Sequence, residues 1–263
     1  MTKPYFLRTY NTKKDLPLFI FLPGMDGTGE LLLNQIRGLA PYFSLRCLAL
    51  PQNSLSDWET LSAQVIDLIT AELTIQPRRL VYLCGESFGG CLALKVAVSA
   101  PQLYSHLVLV NPASSFKERP LLHLGAAITG NLPEFAYQVS TLTLLPFLAA
   151  LSRITKVSRN SLLKAMKSVP PQTAAWRMFL LQNFDLSFSQ VQKIKRPTLV
   201  IAGAQDRLLP SVAEAKRLVC ELPQAQMEIL PDSGHACLLE KDVRLEKILQ
   251  RYNFLETNKR IGK

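Results

Sequence analysis

Metal modules and disulfide frameworks are the first things this chain does not offer. Its 5 cysteines (Cys47, Cys84, Cys91, Cys220, Cys237) form no C-x-x-C pair and stand at no metal-ligand spacing, which excludes a zinc module and a stapled secreted scaffold. Cys47 and Cys84 fall in apolar segments expected to be buried strands, so they read as small core residues in a reducing compartment. No apolar run reaches the eighteen or so residues of a spanning helix. Residues 1–15 are polar and basic rather than an apolar signal core, so secretion is not expected. The chain also lacks internal repeats, low-complexity tracts and any RNA- or DNA-binding signature, and its basic residues are scattered rather than interleaved with aromatics. Histidine is scarce, with only His106, His123 and His235 available, which narrows the choice of a general base.

What is present suits one large α/β domain carrying an insertion. A chain of 263 residues with 48% hydrophobic and 19% charged residues can bury a sizeable core and is not disordered. The mean hydropathy of +0.13 is high for an enzyme in solution, and a formal net charge of +10 favours anionic surfaces. A membrane containing anionic lipid fits better than nucleic acid, so peripheral membrane contact is expected and nucleic-acid binding is not.

Strand and helix patterns alternate along the first part. Residues 5–10 and 16–22 read as β segments joined by the polar turn 11–15, and 46–50, 80–83 and 106–110 as further strands. Ser56 and Glu59 look like a capping box opening a helix along Trp58, Leu61, Val65 and Leu68. From 112 to 190 the alternation stops. Helical stretches are expected at 121–128, 135–151, 161–167 and 174–181, and this segment carries eight Lys or Arg against three acids. Greasy and basic, it reads as a helical cap over a site. Alternation returns with strands at 198–202 and 226–230, a helix at 211–220 and a closing helix at 238–251. The expected fold is α/β, a mostly parallel central sheet with helices on both faces. Residues 1–111 and 191–263 form its two core parts, and 112–190 the cap.

One stretch carries the chemistry. The strand at 80–83 runs into Gly85-Glu86-Ser87-Phe88-Gly89, and an apolar helical pattern follows at once. A strand, sharp turn and helix of this kind lift the serine hydroxyl above the sheet edge and need glycines on either side. A serine hydroxyl needs a base, and His235, in a Gly-bearing loop after the last strand, is the candidate. His106 at a strand start and His123 in the cap read as structural. Asp206, just beyond the strand at 198–202, is preferred over Asp232 as the carboxylate orienting the imidazole, because Asp232 suits a turn within its own loop. The order Ser87, Asp206, His235 is that of α/β-hydrolases. The Phe88 N–H is placed by the turn as one oxyanion donor, and the Met25 N–H, in the glycine-rich loop after residue 22, as the second. Asp26 is expected to hold that loop rather than to react.

These residues resemble the α/β-hydrolase superfamily over the whole chain. More narrowly, Phe21-Leu22-Pro23-Gly24-Met25-Asp26-Gly27-Thr28-Gly29 together with Gly85-Glu86-Ser87-Phe88-Gly89-Gly90 is similar to the phytyl ester synthase and diacylglycerol acyltransferase-like family of plastids and cyanobacteria. The resemblance implies long-chain acyl or isoprenoid esters as substrates and a cytoplasmic or plastid-stromal protein. Plant members look like two-part chains with an acyltransferase domain after the hydrolase-like one. This sequence ends at Lys263 without it, so hydrolysis of a lipophilic ester is expected ahead of transfer to phytol, diacylglycerol or another alcohol. A non-catalytic lipid-binding protein is the remaining alternative. No cofactor or metal is expected, and dehalogenases and epoxide hydrolases, which carry an aspartate in place of Ser87, are disfavoured.

Overall fold

The computed structural model describes residues 3–7, 16–77, 79–119, 129 and 133–255. The expected strand beyond residue 7, the turn at 11–15, the helical stretch at 121–128, His123 and the tail from 256 lie outside the described residues.

The elements run β1 (Tyr5–Phe6), β2 (Leu18–Leu22), α1 (Leu33–Leu39), β3 (Ser44–Ala49), α2 (Trp58–Ile75), β4 (Val81–Glu86), α3 (Phe88–Ser99) and β5 (His106–Val110). A 3₁₀ turn at Ala113–Glu118 leads to α4 (Glu134–Leu148), α5 (Lys156–Lys167), α6 (Pro171–Gln182) and the short α7 (Phe188–Val191). Then come β6 (Thr198–Gly203), α8 (Ser211–Glu221), β7 (Ala225–Leu230) and α9 (Leu245–Arg251). The strands form one sheet in the order β1-β3-β2-β4-β5-β6-β7. Among the described strands, only β1, at the edge, is antiparallel to its neighbour.

Every residue of β2, β4 and β6 is buried, as parallel strands covered on both faces require. On one face Leu18, Ile20, Leu22 and Leu83 pack under α2 and α3 with Trp58, Phe88 and Leu92. On the other, Phe19, Phe21, Tyr82 and Cys84 meet Leu39 of α1 and Leu245 and Leu249 of α9. The alternation of side chains along β2 therefore fills two cores at once. His106 belongs to the second face, stacked on Tyr82 with centroids 4.3 Å apart and meeting Phe254 edge-on.

Three local expectations need correction. Asp57, not Ser56, caps α2: its side chain accepts from Thr60 N at 2.8 Å. The Ser56 carbonyl instead accepts from Trp176 Nε1. Helix α1 was not anticipated, and the closing helix does not begin at 238. Cys237–Leu239 is a separate 3₁₀ turn and α9 starts at Leu245. Buried Gln35 of α1 holds that break open, donating to the Leu238 and Val243 carbonyls and accepting from Leu245 N. Backbone groups left unpaired by the missing helical turn are satisfied by one amide side chain.

Candidate active site

The loops after β2, β4, β5, β6 and β7 all leave the same end of the sheet, the end where parallel α/β sheets collect ligand-facing groups. Ser87 follows β4 with φ 55° and ψ −115°, a region that costs a non-glycine residue energy. The turn fits only because its flanks are bare. A Cβ on Gly85 would meet the Gly89 carbonyl, and one on Gly89 would meet the Leu22 carbonyl. The turn is locked from below, as Ser87 N donates to Val110 O at 3.0 Å and Ser87 O accepts from Gly90 N and Ala113 N. Phe88 opens α3, so its N–H belongs to the helix's free first turn.

Ser87, His235 and Asp206 meet in one chain of contacts. His235 Nε2 lies 2.8 Å from Ser87 Oγ, and His235 Nδ1 lies 2.7 Å from Asp206 Oδ2. Nδ1 facing a carboxylate carries the proton, which leaves Nε2 to accept from the serine. Asp206 is itself fixed, its Oδ1 taking Leu208 N and Leu209 N at 2.8 and 3.0 Å and its Oδ2 taking the Ser211 hydroxyl. Burial works against charge on both partners. For His235, whose side chain is almost wholly enclosed, the Asp206 carboxylate and its hydrogen bond outweigh burial and hold the imidazole's pKa above the usual histidine value. For Asp206, burial is outweighed by the His235 charge and by bonds from His235, Ser211 and Leu209, which hold the carboxyl below its usual value. Asp232 stays on the exposed turn before Ser233.

The glycine-rich loop after β2 comes up to this group at Gly24. Gly24 approaches Ser87, with an added Cβ 3.8 Å from the serine's own. Asp26 turns back on the loop and accepts from Thr28 N and the Thr28 hydroxyl, which is the loop-holding role expected of it.

Three residues that hold the site, and a fourth buried beside it, were not singled out from sequence. Asn111, fully buried at the end of β5 with φ 42°, donates to His235 O at 2.6 Å and Gly234 O at 3.2 Å while accepting from Gly203 N at 2.8 Å. It ties the His235 loop to β6. A polar residue ending an apolar strand, in register with Ser87 one strand over, was the available signal. Buried Glu240 accepts from Gly234 N, Ser233 Oγ and Arg153 Nε, which joins the loop to the helical insertion. Arg177, counted above with the insertion's basic residues, is only 2% exposed and reaches Met25 O. Glu86, between Gly85 and Ser87, is 6% exposed, and its Oε1 has no hydrogen-bond partner among the described residues. Burial pushes its carboxyl up to about 8; His235 opposes this and Asp26 adds to it. No group of three or more His, Cys, Asp or Glu suited to a metal ion occurs among the described residues.

The chain is similar to known proteins over most of its length. A family model described as Serine aminopeptidase, S33, matches residues 52–242. Phytyl ester synthase 1, chloroplastic, of Arabidopsis thaliana is 33% identical over 260 residues, covering 90% of this chain and 37% of that protein. The chain thus spans little more than a third of that relative's length. A pimeloyl-[acyl-carrier protein] methyl ester esterase of Xanthomonas axonopodis pv. citri is 26% identical over 249 residues, covering 90% of this chain and 94% of the esterase. Among solved structures, the enol-lactonase from Burkholderia xenovorans LB400 superposes with a TM-score of 0.80 at 18% identity, covering 95% of this chain and 96% of that one.

Proposed function

The chain belongs to the serine aminopeptidase S33 family of α/β-hydrolases, a group with esterase-like members, and from that premise we propose that it cleaves a lipophilic carboxylic ester through an acyl-enzyme on Ser87. The observation that carries this is the unbroken contact from Ser87 Oγ through His235 to Asp206, at 2.8 and 2.7 Å, on a turn that holds the serine in a left-handed conformation. Ser87 Oγ attacks the ester carbonyl carbon while His235 Nε2 takes its proton. The C–O bond to the alcohol then breaks, and His235 protonates the departing oxygen. Water attacks the acyl-enzyme, gives its proton to His235, and the acid leaves as that proton returns to Ser87. The N–H groups of Phe88 and Met25 receive the negative oxygen in both steps, each worth roughly 3 kcal/mol of transition-state stabilisation.

In this reading residues 112–190 act as a cap that lines the acyl site with apolar surface. Each buried CH₂ of a long chain adds about 0.8 kcal/mol, which favours a lipophilic substrate. A second reading is favoured by the similarity to phytyl ester synthase 1: an alcohol such as phytol or diacylglycerol replaces water in the second step. The two separate by product analysis of one long-chain acyl donor with and without acceptor alcohol. Free acid in both samples supports hydrolysis, and ester formed to the exclusion of acid overturns it. A fluorophosphonate probe that still labels a Ser87→Ala variant would refute the site itself.

Contact with an anionic membrane belongs to the same proposal. Helix α4 leaves Phe135 80% exposed and also exposes Val139, Leu142 and Phe147, while Lys156, Arg159, Lys164 and Lys167 of α5 face solvent. Residues 135–184 contain no acidic residue. An apolar stripe beside unopposed cations suits the boundary of an anionic bilayer. No helix among the described residues is long and apolar enough to cross one. Pelleting with phosphatidylglycerol-containing vesicles at low salt is expected, and its absence disposes of the idea.

A further inference from the structure

The buried arginine of the insertion has no counterpart in the reaction scheme. Arg177 sits on α6 and extends its guanidinium into the core, where Nη1 donates to Met25 O at 2.7 Å and Nη2 to Pro51 O at 3.1 Å. Among the described residues it makes no ion pair within 4 Å. A cation held by two carbonyls carries a desolvation cost that a surface arginine avoids. Burial lowers its pKa to about 10, opposed by the attraction of Asp26 and Tyr137, so it stays protonated at neutral pH.

The loop is shaped to admit it. Gly27 adopts φ +68°, and a Cβ there would lie 2.7 Å from Arg177 Nη1 and 3.2 Å from its Cζ. The same loop is tied by Gly27 N to Gly24 O at 3.0 Å and by Leu50 N to Gly27 O at 2.7 Å. Those bonds fix Gly24 and Gly27; the Met25 carbonyl between them is fixed by Arg177. That carbonyl and the Met25 N–H flank one Cα, so holding the first restricts the rotation that would turn the second away. The planar fork holds two donors in fixed geometry toward two loops at once, whereas lysine offers a single nitrogen on a shorter, flexible stem. Helix α6 is in turn fastened to the core, through Trp176 Nε1 to Ser56 O at 3.1 Å and Trp58 Nε1 to Leu180 O at 2.9 Å.

We propose that Arg177 is a positioning residue, which fixes the Met25 peptide from the insertion side so that the Met25 N–H meets the oxyanion. This rests on the reading of Ser87 and Met25 given above. It makes α6 a part of the reacting site rather than a movable cover.

The test uses Arg177→Lys and Arg177→Met, a dissolved short-chain p-nitrophenyl ester, and a trifluoromethyl ketone as a mimic of the tetrahedral intermediate. Loss of an aligned donor is expected to lower kcat about ten- to a hundredfold in Arg177→Lys. KM should stay within about twofold, and affinity for the ketone should fall by the same factor as kcat/KM. Tyr252→Phe removes a hydrogen bond to the Met227 carbonyl of the edge strand β7, away from α6 and the loop, and is expected to lower Tm with kcat held. If Arg177→Lys lowers Tm in the same way but leaves kcat and ketone affinity intact, the guanidinium is structural only and the proposal is overturned. Should Arg177→Met fail to fold, the lysine variant decides. Failure of the clamp is distinguishable from failure of the site: in the first case Ser87→Ala abolishes fluorophosphonate labelling, and in the second it does not.

Discussion

Helices α4 and α6 belong to the same insertion and treat their polar groups in opposite ways. In α6, Thr173, Ala174, Arg177, Leu180 and Leu181 are buried, and its side chains and backbone exchange hydrogen bonds with the loops after β2 and β3 and with α2. In α4 the hydroxyls of Ser140, Thr141 and Thr143 turn back to carbonyls of the preceding helical turn, and the outer stripe is apolar. A helix that satisfies its own polar groups is free to present carbon outward. One that directs them inward helps to set the geometry of what lies beneath. On the two proposals above, the contrast sets α6, which serves the reaction, against α4, which meets the membrane. Charge count alone merged them.

The largest expected effect lies on the inward side. Asp206→Asn keeps the shape but allows the wrong imidazole tautomer, and turnover of a dissolved ester is expected to fall about 10⁴-fold. The pH profile gives a second readout. His235's pKa lies above the ordinary 6.5, so the neutral base forms, and activity rises, only as pH climbs past that value. Without the Asp206 charge, burial, which lowers the imidazole's pKa, is opposed only by Glu86, and the acid limb should move to lower pH. The same shift stabilises the fold below pH 6.5 and is lost as pH rises through the folded pKa. An acid limb that stays in place after the substitution would separate Asp206 from His235 and break the inward half of the comparison.

On the outward side the measurement changes. Phe135→Ser with Leu142→Ser is expected to weaken partition onto phosphatidylglycerol vesicles on the order of tenfold, and Lys164→Glu with Lys167→Glu by a similar factor that vanishes at high salt. Turnover of a dissolved short-chain ester should stay within about twofold in all of them. If the α4 variants lose turnover in solution instead, α4 serves the site and the contrast collapses.

This division also marks what could be read from sequence. Ser87, the Gly85 and Gly89 flanks and the loop from Pro23 to Gly29 are local chemistry, since a strand, a bare turn and a helix leave their pattern within a dozen residues. Asp206 and His235 were reached because each lies in the loop that follows a recognisable strand. Arg177, Asn111 and Gln35 act across more than ninety residues of chain through two to four hydrogen bonds each. For Glu240 the key bonds are split, local to Gly234 and distant to Arg153. No periodicity records such partners. A lysine on the outside of α5 and an arginine under α6 count equally toward net charge, and only depth separates them.

Glu86 sharpens the comparison by being its exception, a buried polar group on the inward side with an unpartnered oxygen. Its carboxyl is pushed up to about 8 from 4.5, first by burial, so the folded protein holds a proton that the unfolded chain releases. The unfolded state then binds fewer protons between pH 4.5 and about 8, and stability contributed by this group falls as pH rises through that window. Glutamine has nearly the same shape and no proton to lose. Glu86→Gln is therefore expected to match the parent's Tm near pH 4.5 and to exceed it by a few degrees at pH 8.5, corresponding to roughly 1–3 kcal/mol. A difference in Tm that does not grow with pH would mean that Glu86 is already ionised and paired in the folded state. The rule drawn from α6, that buried polar groups here are held by partners, would then extend to the residue beside the nucleophile.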